Sequence, residues 1–483
     1  MPTRPERSAV STWALATALT AVGWWFGSGT QPLWWVTWLA PLPVLWLASR
    51  VRTSRAVAAA FLAMAAGSGN LWSYLYGHIH LPLVTVIYAM VLPGLMFALC
   101  VLLHKRLLSR GRPLAALLAV PVTWVALAFV NNLLSPHGTF FDIAYTQMNA
   151  LPMIQLAALT GIWGIGMLLL LVATALAMLG ATDVPARARI GMAGTAVLIL
   201  AVVLGYGFWR LAAPAASSVR VGLVSLEQTG KLAAVDSPEG KARKDRYLAA
   251  LDRAAAQGAQ VVVIPEGTFA ASATIPSFAG FAQQSGITVN VAVDYQDEPG
   301  IERNMAMVFQ PGAASPVMYN KHHLIPGFED RFTPGTEFVT LSGRPRIGLA
   351  ICKDMDFQDF AVAYGQRNTQ LLLVPAWDFV TDGWLHSRMA IMRGVEGGFA
   401  VARAARSGRL TLSDDRGRVM AEVSSEQGDA ELVGNLALRE TRTLYARCGN
   451  WFAWLDVAVL LALVGLALAP GTRHSREGGN PVT

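Results

Sequence analysis

Charged residues are scarce in this sequence. Only 14% of its 483 residues are charged, whereas 54% are hydrophobic, and an average soluble protein has about 25% charged residues. Cysteine is scarce as well, with three in the chain. The shortage of charge excludes a disordered chain and an ordinary cytosolic enzyme, and the shortage of cysteine excludes a disulfide-stapled secreted domain. A membrane protein remains, with room for a soluble domain.

Apolar runs separated by short polar breaks fill most of the first 211 residues, and one more run lies near residue 460. A helix needs about 20 apolar residues to cross a bilayer. We therefore predict about eight spans. They are residues 11–27, 32–48, 56–76, 82–103, 113–134, 151–180, 190–211 and 451–470. Pro41 and Pro43 predict a kink in the second span, and the sixth is long enough that part of it should lie outside the hydrocarbon.

Lysine and arginine are missing from every second connection between these spans. Loops 28–31, 77–81 and 135–150 contain none. The other connections and the two ends contain thirteen: Arg4, Arg7, Arg50, Arg52, Arg55, Lys105, Arg106, Arg110, Arg112, Arg187, Arg189, Arg473 and Arg476. Because cytoplasmic loops are rich in Lys and Arg, the alternation predicts a cytoplasmic N terminus. A cleaved signal peptide in place of the first span would break this alternation.

The segment 214–448 differs from its surroundings in composition. It holds 24 Lys and Arg against 26 Asp and Glu, so the net charge of +7 comes from the membrane part. That charge sets topology, and we expect no nucleic-acid partner. We predict three parts: a seven-span region 1–213, a soluble domain 214–448 on the non-cytoplasmic side, and 449–483, with the eighth span and a short cytoplasmic tail.

Short β-branched runs bounded by turn residues predict seven strands in the soluble segment. These runs are Val219–Leu226, Val261–Pro265, Ile287–Tyr295, Met305–Gln310, Arg346–Cys352, Leu371–Pro375 and Phe399–Arg403. Helical patterns lie between them, at Lys241–Gln257 and Leu385–Glu396. The alternation indicates an α/β domain with helices covering a sheet.

Three strand ends present side chains that could do chemistry: Glu266, Lys321 and Cys352. A thiolate nucleophile needs a base to take its proton and a positive or N–H-rich site for the oxyanion it creates. Glu, Lys and Cys together meet those needs without a metal. Each signal is weak alone, since a strand-end carboxylate is more often a cap and a lone buried cysteine is more often inert.

The short motifs around these three residues show a specific resemblance to a known superfamily. The three side chains lie in short motifs that follow one another along the chain: Pro265-Glu266, Asn320 to Leu324 and Gly348 to Cys352. This order of motifs resembles the one that carries the Glu-Lys-Cys triad in the nitrilase superfamily of carbon–nitrogen hydrolases. Eight spans with such a domain before the last one resemble the apolipoprotein N-acyltransferase family. Gly-Ile-Trp-Gly at 161–164, and a glutamate eight residues past the lysine, Glu329, are also similar to that family.

The resemblance implies an αββα sandwich on the periplasmic side of a bacterial inner membrane. Cys352 would take an acyl group from a phospholipid as a thioester and pass it to the N-terminal amine of a diacylglyceryl-cysteine apolipoprotein. Glu266 would be the base, and Lys321 would stabilise the oxyanion together with the backbone N–H of Lys353. Glu329 would support the lysine and the base. No cofactor is implied.

Some residues depart from the family pattern and favour other functions. Lys353-Asp354 stands where the family usually has Tyr-Glu, and residues 375–389 resemble a soluble carbon–nitrogen hydrolase. A membrane-tethered amidase or nitrilase that uses water is therefore an alternative. A transporter or scaffold is another alternative. Translocation paths are marked by buried ionisable residues, which these spans lack, and Asp456 is the one acid well inside a span.

Histidine spacing gives little indication of a metal site. The histidine pairs are His78 with His80 and His322 with His323, and neither has a third ligand at zinc-site spacing. We expect no metal.

Overall fold

The computed structural model of the protein describes residues 4–226 and 232–469, with side chains from Val10 onward. The predicted cytoplasmic charges Arg473 and Arg476, and the side chains of Arg4 and Arg7, lie outside the described part. Ten α-helices precede the first strand within residues 4–226. They are α1 (Arg4–Gly27), α2 (Val36–Leu39), α3 (Leu42–Ala48), α4 (Thr53–Gly67), α5 (Leu83–Leu108), α6 (Pro113–Leu134), α7 (Leu151–Ile154), α8 (Ala157–Thr160), α9 (Ile162–Met178) and α10 (Ala186–Leu211). A π-helix, Ser73–His78, extends α4 through a 3-10 turn, and a second 3-10 turn is Ile143–Gln147.

Five helical segments in the described part of the chain are long and apolar enough to cross a membrane. They are Thr53–His78, Leu83–Leu108, Pro113–Leu134, Ala186–Leu211 and Trp451–Leu468. The predicted second span is broken at Pro41, which separates α2 from α3 because proline cannot donate the helical hydrogen bond. The predicted span 151–180 is divided into α7, α8 and α9. The count of eight spans stays a prediction.

Gly161 makes one of these breaks. Its φ is +66°, and a Cβ there would lie 2.5 Å from the ring of Tyr445. Only glycine combines this backbone conformation with so close an approach. The motif at 161–164 therefore marks the point where the membrane region packs against the end of the α/β domain.

Eleven strands in the described part of the chain form two sheets. The strands are β1 (Ser217–Ser225), β2 (Val261–Ala271), β3 (Thr288–Glu298), β4 (Ile301–Phe309), β5 (Val317–Asn320), β6 (Ile347–Leu349), β7 (Leu371–Trp377), β8 (Ala400–Arg406), β9 (Arg409–Ser413), β10 (Val419–Ser424) and β11 (Ala430–Leu438). One sheet has the order β11-β1-β2-β3-β4-β5 and the other β10-β9-β8-β7-β6. The pairs β1–β2, β2–β3, β6–β7 and β7–β8 are parallel.

The two sheets pack face to face and helices cover both outer faces. The remaining helices are α11 (Pro238–Ala256), α12 (Pro276–Ser285), α13 (Asp359–Gln366), α14 (Gly383–Gly397), α15 (Leu444–Cys448) and α16 (Trp451–Leu468). Val221 and Val263 of the first sheet meet Leu373 and Val401 of the second in the central core. Helices α11 and α12 cover the first sheet, and α13 and α14 the second. The predicted α/β class is confirmed, with four αββα layers.

Loops of the membrane region touch the α/β domain directly. The backbone N–H and the hydroxyl of Thr139 donate to the carbonyl oxygen of Asp356, at 3.0 and 2.7 Å. The Tyr74 hydroxyl donates to the Asp382 carboxylate at 2.5 Å. These contacts place loop 135–150 against the turn that follows Cys352.

Candidate active site

Lys321 lies between two carboxylates in the interior of the domain. Its Nζ donates to Glu266 Oε1 at 2.7 Å and to the two oxygens of Glu329 at 2.9 and 2.8 Å. The lysine is 0% exposed. Asn304 Nδ2 donates to Oε1 of both glutamates, at 2.6 and 2.8 Å. One buried ammonium and one amide therefore fix both carboxylates in place.

An irregularity in β2 sets the position of Glu266. The predicted strand ends at Pro265, but the observed strand continues to Ala271, and its register with β3 shifts between Ile264 and Phe269. Gly267 has a φ of +63° at this point. A left-handed residue inside a bulge redirects its neighbour's side chain. Gly267 is thus part of what turns the Glu266 carboxylate inward.

Cys352 begins a short 3-10 helix, Cys352–Asp356, directly after β6 and two connecting residues. Its φ is +43°, an uncommon conformation for a residue with a side chain. Such strain costs about 1–3 kcal/mol and is concentrated at functional sites. Its Sγ lies 3.5 Å from the carbonyl oxygen of Trp377, at the end of the neighbouring strand β7. The thiol is thus held at a strained turn next to that carbonyl.

The electrostatics of the site favour a neutral thiol beside a paired carboxylate. Burial and the charge of Glu266 raise the pKa of Cys352 well above its ordinary value, against the lowering effect of Lys321. Burial also raises the pKa of Glu266, although Lys321 opposes the shift. Burial alone would lower the pKa of Lys321, but the charges of Glu266 and Glu329 raise it, so the ammonium stays charged.

Asp354 connects the two loops that carry Lys321 and Cys352, a role that the sequence did not indicate. Its carboxylate accepts from the backbone N–H of Ile351 at 2.9 Å and from the Tyr319 hydroxyl at 2.6 Å. It also accepts from the backbone N–H groups of residues 322 and 323, at 3.2 and 2.9 Å. The aspartate thereby fixes the thiol-bearing turn relative to the lysine.

Lys353 points toward the membrane region. Its Nζ lies 3.2 Å from His137 Nδ1 and 3.4 Å from Asp356 Oδ2. Burial and the charge of Lys353 lower the pKa of His137 to about 4. The imidazole is therefore neutral at pH 7 and can accept a hydrogen bond from the lysine.

A buried ionic network that no sequence pattern indicated lies beside the Cys352 turn. Arg403 donates two hydrogen bonds to Asp378, at 2.9 and 2.5 Å. His386 Nδ1 lies 3.4 Å from Asp378 and 3.2 Å from Asp382. Burial alone would lower the pKa of His386, but the two carboxylates raise it to about 10.

These three side chains, Asp378, Asp382 and His386, are the one group in the described residues with metal-ligand spacing. Arg403 and Tyr74 already hold the two carboxylates. Because those oxygens are engaged and the imidazole is charged, the arrangement is an ion-pair network that braces residues 377–382.

Two family models match the chain in separate regions. Residues 11–175 match the apolipoprotein N-acyltransferase N-terminal domain, and residues 220–442 match the carbon-nitrogen hydrolase family. Curated relatives are similar to both parts. An apolipoprotein N-acyltransferase of Geobacter metallireducens is 26% identical over 412 residues, which is 76% of this chain and 78% of the relative. One of Gloeobacter violaceus is 28% identical over 60% of this chain and 61% of its own length.

Two further similarities cover less than half of this chain. An omega-amidase of Mus musculus is 29% identical over 209 residues, covering 36% of this chain and 76% of the amidase. An amidase structure from Nesterenkonia sp. is 22% identical with a TM-score of 0.38, covering 45% of this chain and 90% of that one. The two family matches and the curated apolipoprotein N-acyltransferase relatives together show that the protein belongs to the apolipoprotein N-acyltransferase family, within the nitrilase superfamily.

Proposed function

We propose that this protein transfers a fatty acyl group from a phospholipid, through a thioester on Cys352, to the N-terminal amine of a diacylglyceryl-cysteine apolipoprotein. The observation that carries the proposal is the buried Glu266–Lys321–Glu329 cluster, which acts electrostatically on the Cys352 thiol in a chain with five membrane-length apolar helices. Both substrates are lipids, so a membrane-embedded enzyme meets them where they reside.

The first half-reaction acylates the cysteine. Glu266 takes the thiol proton as the sulfur attacks the ester carbonyl of the phospholipid. The Lys321 ammonium and the backbone N–H of Lys353 stabilise the resulting oxyanion. The intermediate collapses by breaking the ester C–O bond, and the lysophospholipid leaves as an alcohol with the proton from Glu266.

The second half-reaction transfers the acyl group. The acceptor amine attacks the thioester carbonyl, and Glu266 takes a proton from the nitrogen. The C–S bond breaks, the amide forms and Cys352 recovers its proton. Glu329 takes no proton in either step. It keeps Lys321 charged and aligned, and Asn304 orients both carboxylates.

For the arrangement in the membrane, we propose a seven-span region 1–213, a catalytic domain 214–448 on the periplasmic side of the bacterial inner membrane, and an eighth span with a cytoplasmic tail in 449–483. The absence of Lys and Arg from loops 28–31, 77–81 and 135–150 supports this orientation. The contact of loop 135–150 with Asp356 supports it too, since it puts a loop without Lys or Arg on the same side as the domain.

Reporter fusions test the orientation. We expect a reporter that is active only in the cytoplasm to be silent when fused after Ala213 and active when fused after Arg473. The matched pair uses the same reporter and linker, with expression checked by immunoblot. The opposite pattern would overturn both the span count and the periplasmic domain.

Hydrolysis is the second candidate function, because an omega-amidase is 29% identical to this chain over 76% of its own length. Mass spectrometry of the N-terminal peptide of a resident lipoprotein separates the two. We expect three acyl chains with the active protein and two without it or with the Cys352→Ala variant. Unchanged acylation together with release of free fatty acid would assign water as the acceptor.

A further inference from the structure

A cavity lies where α10 meets the α/β domain, at the end of the membrane region. Its volume is about 520 Å³. Arg210, Arg416 and Arg442 line it together with the aromatic rings of Tyr206 and Trp209. None of these residues belongs to the Cys352 site, and no step proposed above uses them.

Arg210 is a buried cation that forms no ion pair with a carboxylate of the described residues. The residue is 5% exposed, and its Nη1 donates to Gln155 Oε1 at 3.3 Å. Its Nη2 is buried and has no hydrogen-bond partner among the residues that the structure describes. A buried guanidinium is costly unless an anion or another acceptor satisfies it.

The carboxylates around the cavity are already paired with other arginines. Asp415 is held by Arg416 and Arg439, at 2.9 and 2.7 Å. Asp414 is held by Arg418 and Arg439, at 3.2 and 3.1 Å. Glu440 pairs with Arg344 at 3.1 Å. The cavity therefore keeps an excess of positive charge.

Three of the nearby arginines have a structural role at the end of α10. Arg416 donates to the carbonyl oxygen of Arg210 at 3.1 Å, Arg418 to that of Leu211 and Arg439 to that of Pro214 at 3.0 Å. They satisfy carbonyl groups that a helix C terminus leaves open. Arg210 and Arg442 have no such role. Arg442 is exposed and contacts Asn368 through Nε, at 3.1 Å.

The cavity lies at the depth of lipid headgroups. Helix α10 has 26 residues, which rise about 39 Å, longer than a hydrocarbon core of about 30 Å. Trp209 is 72% exposed at the cavity end, as expected for an interfacial aromatic. Leu198, Val202 and Phe208 are each 63% exposed and form an apolar surface leading to the cavity.

We infer that this cavity binds the phosphate of a membrane phospholipid whose acyl chains lie along α10. Arg210 and Arg442 supply guanidinium donors, which suit phosphate oxygens, and the exposed apolar surface of α10 supplies the contact for the chains. The bound lipid fixes the catalytic domain against the membrane. This lipid is not the acyl donor, and its binding does not require that Cys352 react.

Native mass spectrometry of the full chain in detergent tests the inference, in a Cys352→Ala background so that no lipid is consumed. The probes are dioleoyl phosphatidylglycerol, dioleoylglycerol and inorganic phosphate. We expect one phosphatidylglycerol to be retained, and retention to weaken about tenfold or more in Arg442→Gln and Arg210→Gln, the scale of a lost charge-assisted hydrogen bond. Arg187→Gln, at the opposite end of the same helix, is the matched control and should retain the lipid.

Arg442→Gln is the decisive variant, because the side chain is exposed and its loss should not affect folding. Equal retention by Arg442→Gln and by its parent would overturn the inference. Equal retention of dioleoylglycerol would show that the phosphate is not recognised. Displacement of the lipid by millimolar inorganic phosphate would indicate a free-anion site instead.

Discussion

Cys352→Ala should abolish both acyl-enzyme formation and acyl transfer. The proposed mechanism gives the acyl group no other covalent carrier, and the turn places the thiol beside the charged cluster of Glu266 and Lys321. The measurement is intact-protein mass spectrometry after incubation with phospholipid alone. Wild type should gain one fatty-acyl mass that hydroxylamine removes, and the variant should gain none.

Cys448 provides the matched control for this experiment. It is exposed, whereas Cys352 is buried, so an adduct formed by unspecific acylation would appear at Cys448. We expect Cys448→Ala to acquire the same acyl mass as wild type. If wild type turns over substrate yet stays unmodified at every time point, the covalent route is wrong.

The strands leading to Glu266, Lys321 and Cys352 illustrate how far the sequence can predict this site. Buried strands appear as apolar runs, so Cys352 could be identified after β6 and Glu266 after the apolar first half of β2. The short strand that leads into Lys321, β5, was not among the predicted runs. The exact end of β2 could not be predicted, because the strand continues through an irregularity at Gly267. The strands missing from the prediction were β5, β9, β10 and β11. In β5, β10 and β11 most positions are half-exposed or exposed, which weakens the apolar signal.

The supporting residues of the site depend on contacts that sequence patterns do not reveal. Asn304 is 38 residues from Glu266, and Tyr319 is 35 residues from Asp354. Asn304 could have been noticed as a polar residue in an apolar strand, but its partners follow only from the pairing of β3, β4 and β5. The contact between Thr139 and Asp356 likewise requires the placement of the membrane loops.

Glu266→Gln should slow acylation of Cys352 by about 10²–10⁴-fold, the usual contribution of a general base. The amide keeps the size of the side chain but cannot take the thiol proton. Single-turnover acylation, followed by the mass shift of the protein, measures this step. Lys321→Ala should also slow it, since the oxyanion loses its buried cation. His322→Ala should have a much smaller effect, because imidazole has no part in the proposed mechanism.

The pH profile distinguishes the base from residues that only hold the site together. A base must be ionised, so the acylation rate should fall as the pH falls through the pKa of Glu266. This fall in rate is the acidic limb of the pH profile. Because burial raises the pKa of Glu266, the midpoint of the limb should lie at a pH above the ordinary glutamate pKa of about 4.3. Glu266→Gln should lose the limb. Asp354→Ala should acylate more slowly and be less thermally stable, because the carboxylate loses four hydrogen bonds. Their donors are the Tyr319 hydroxyl and the backbone N–H groups of residues 322, 323 and 351. This variant should nevertheless keep the acidic limb. A limb that survives in Glu266→Gln and disappears in Asp354→Ala would assign the base to Asp354.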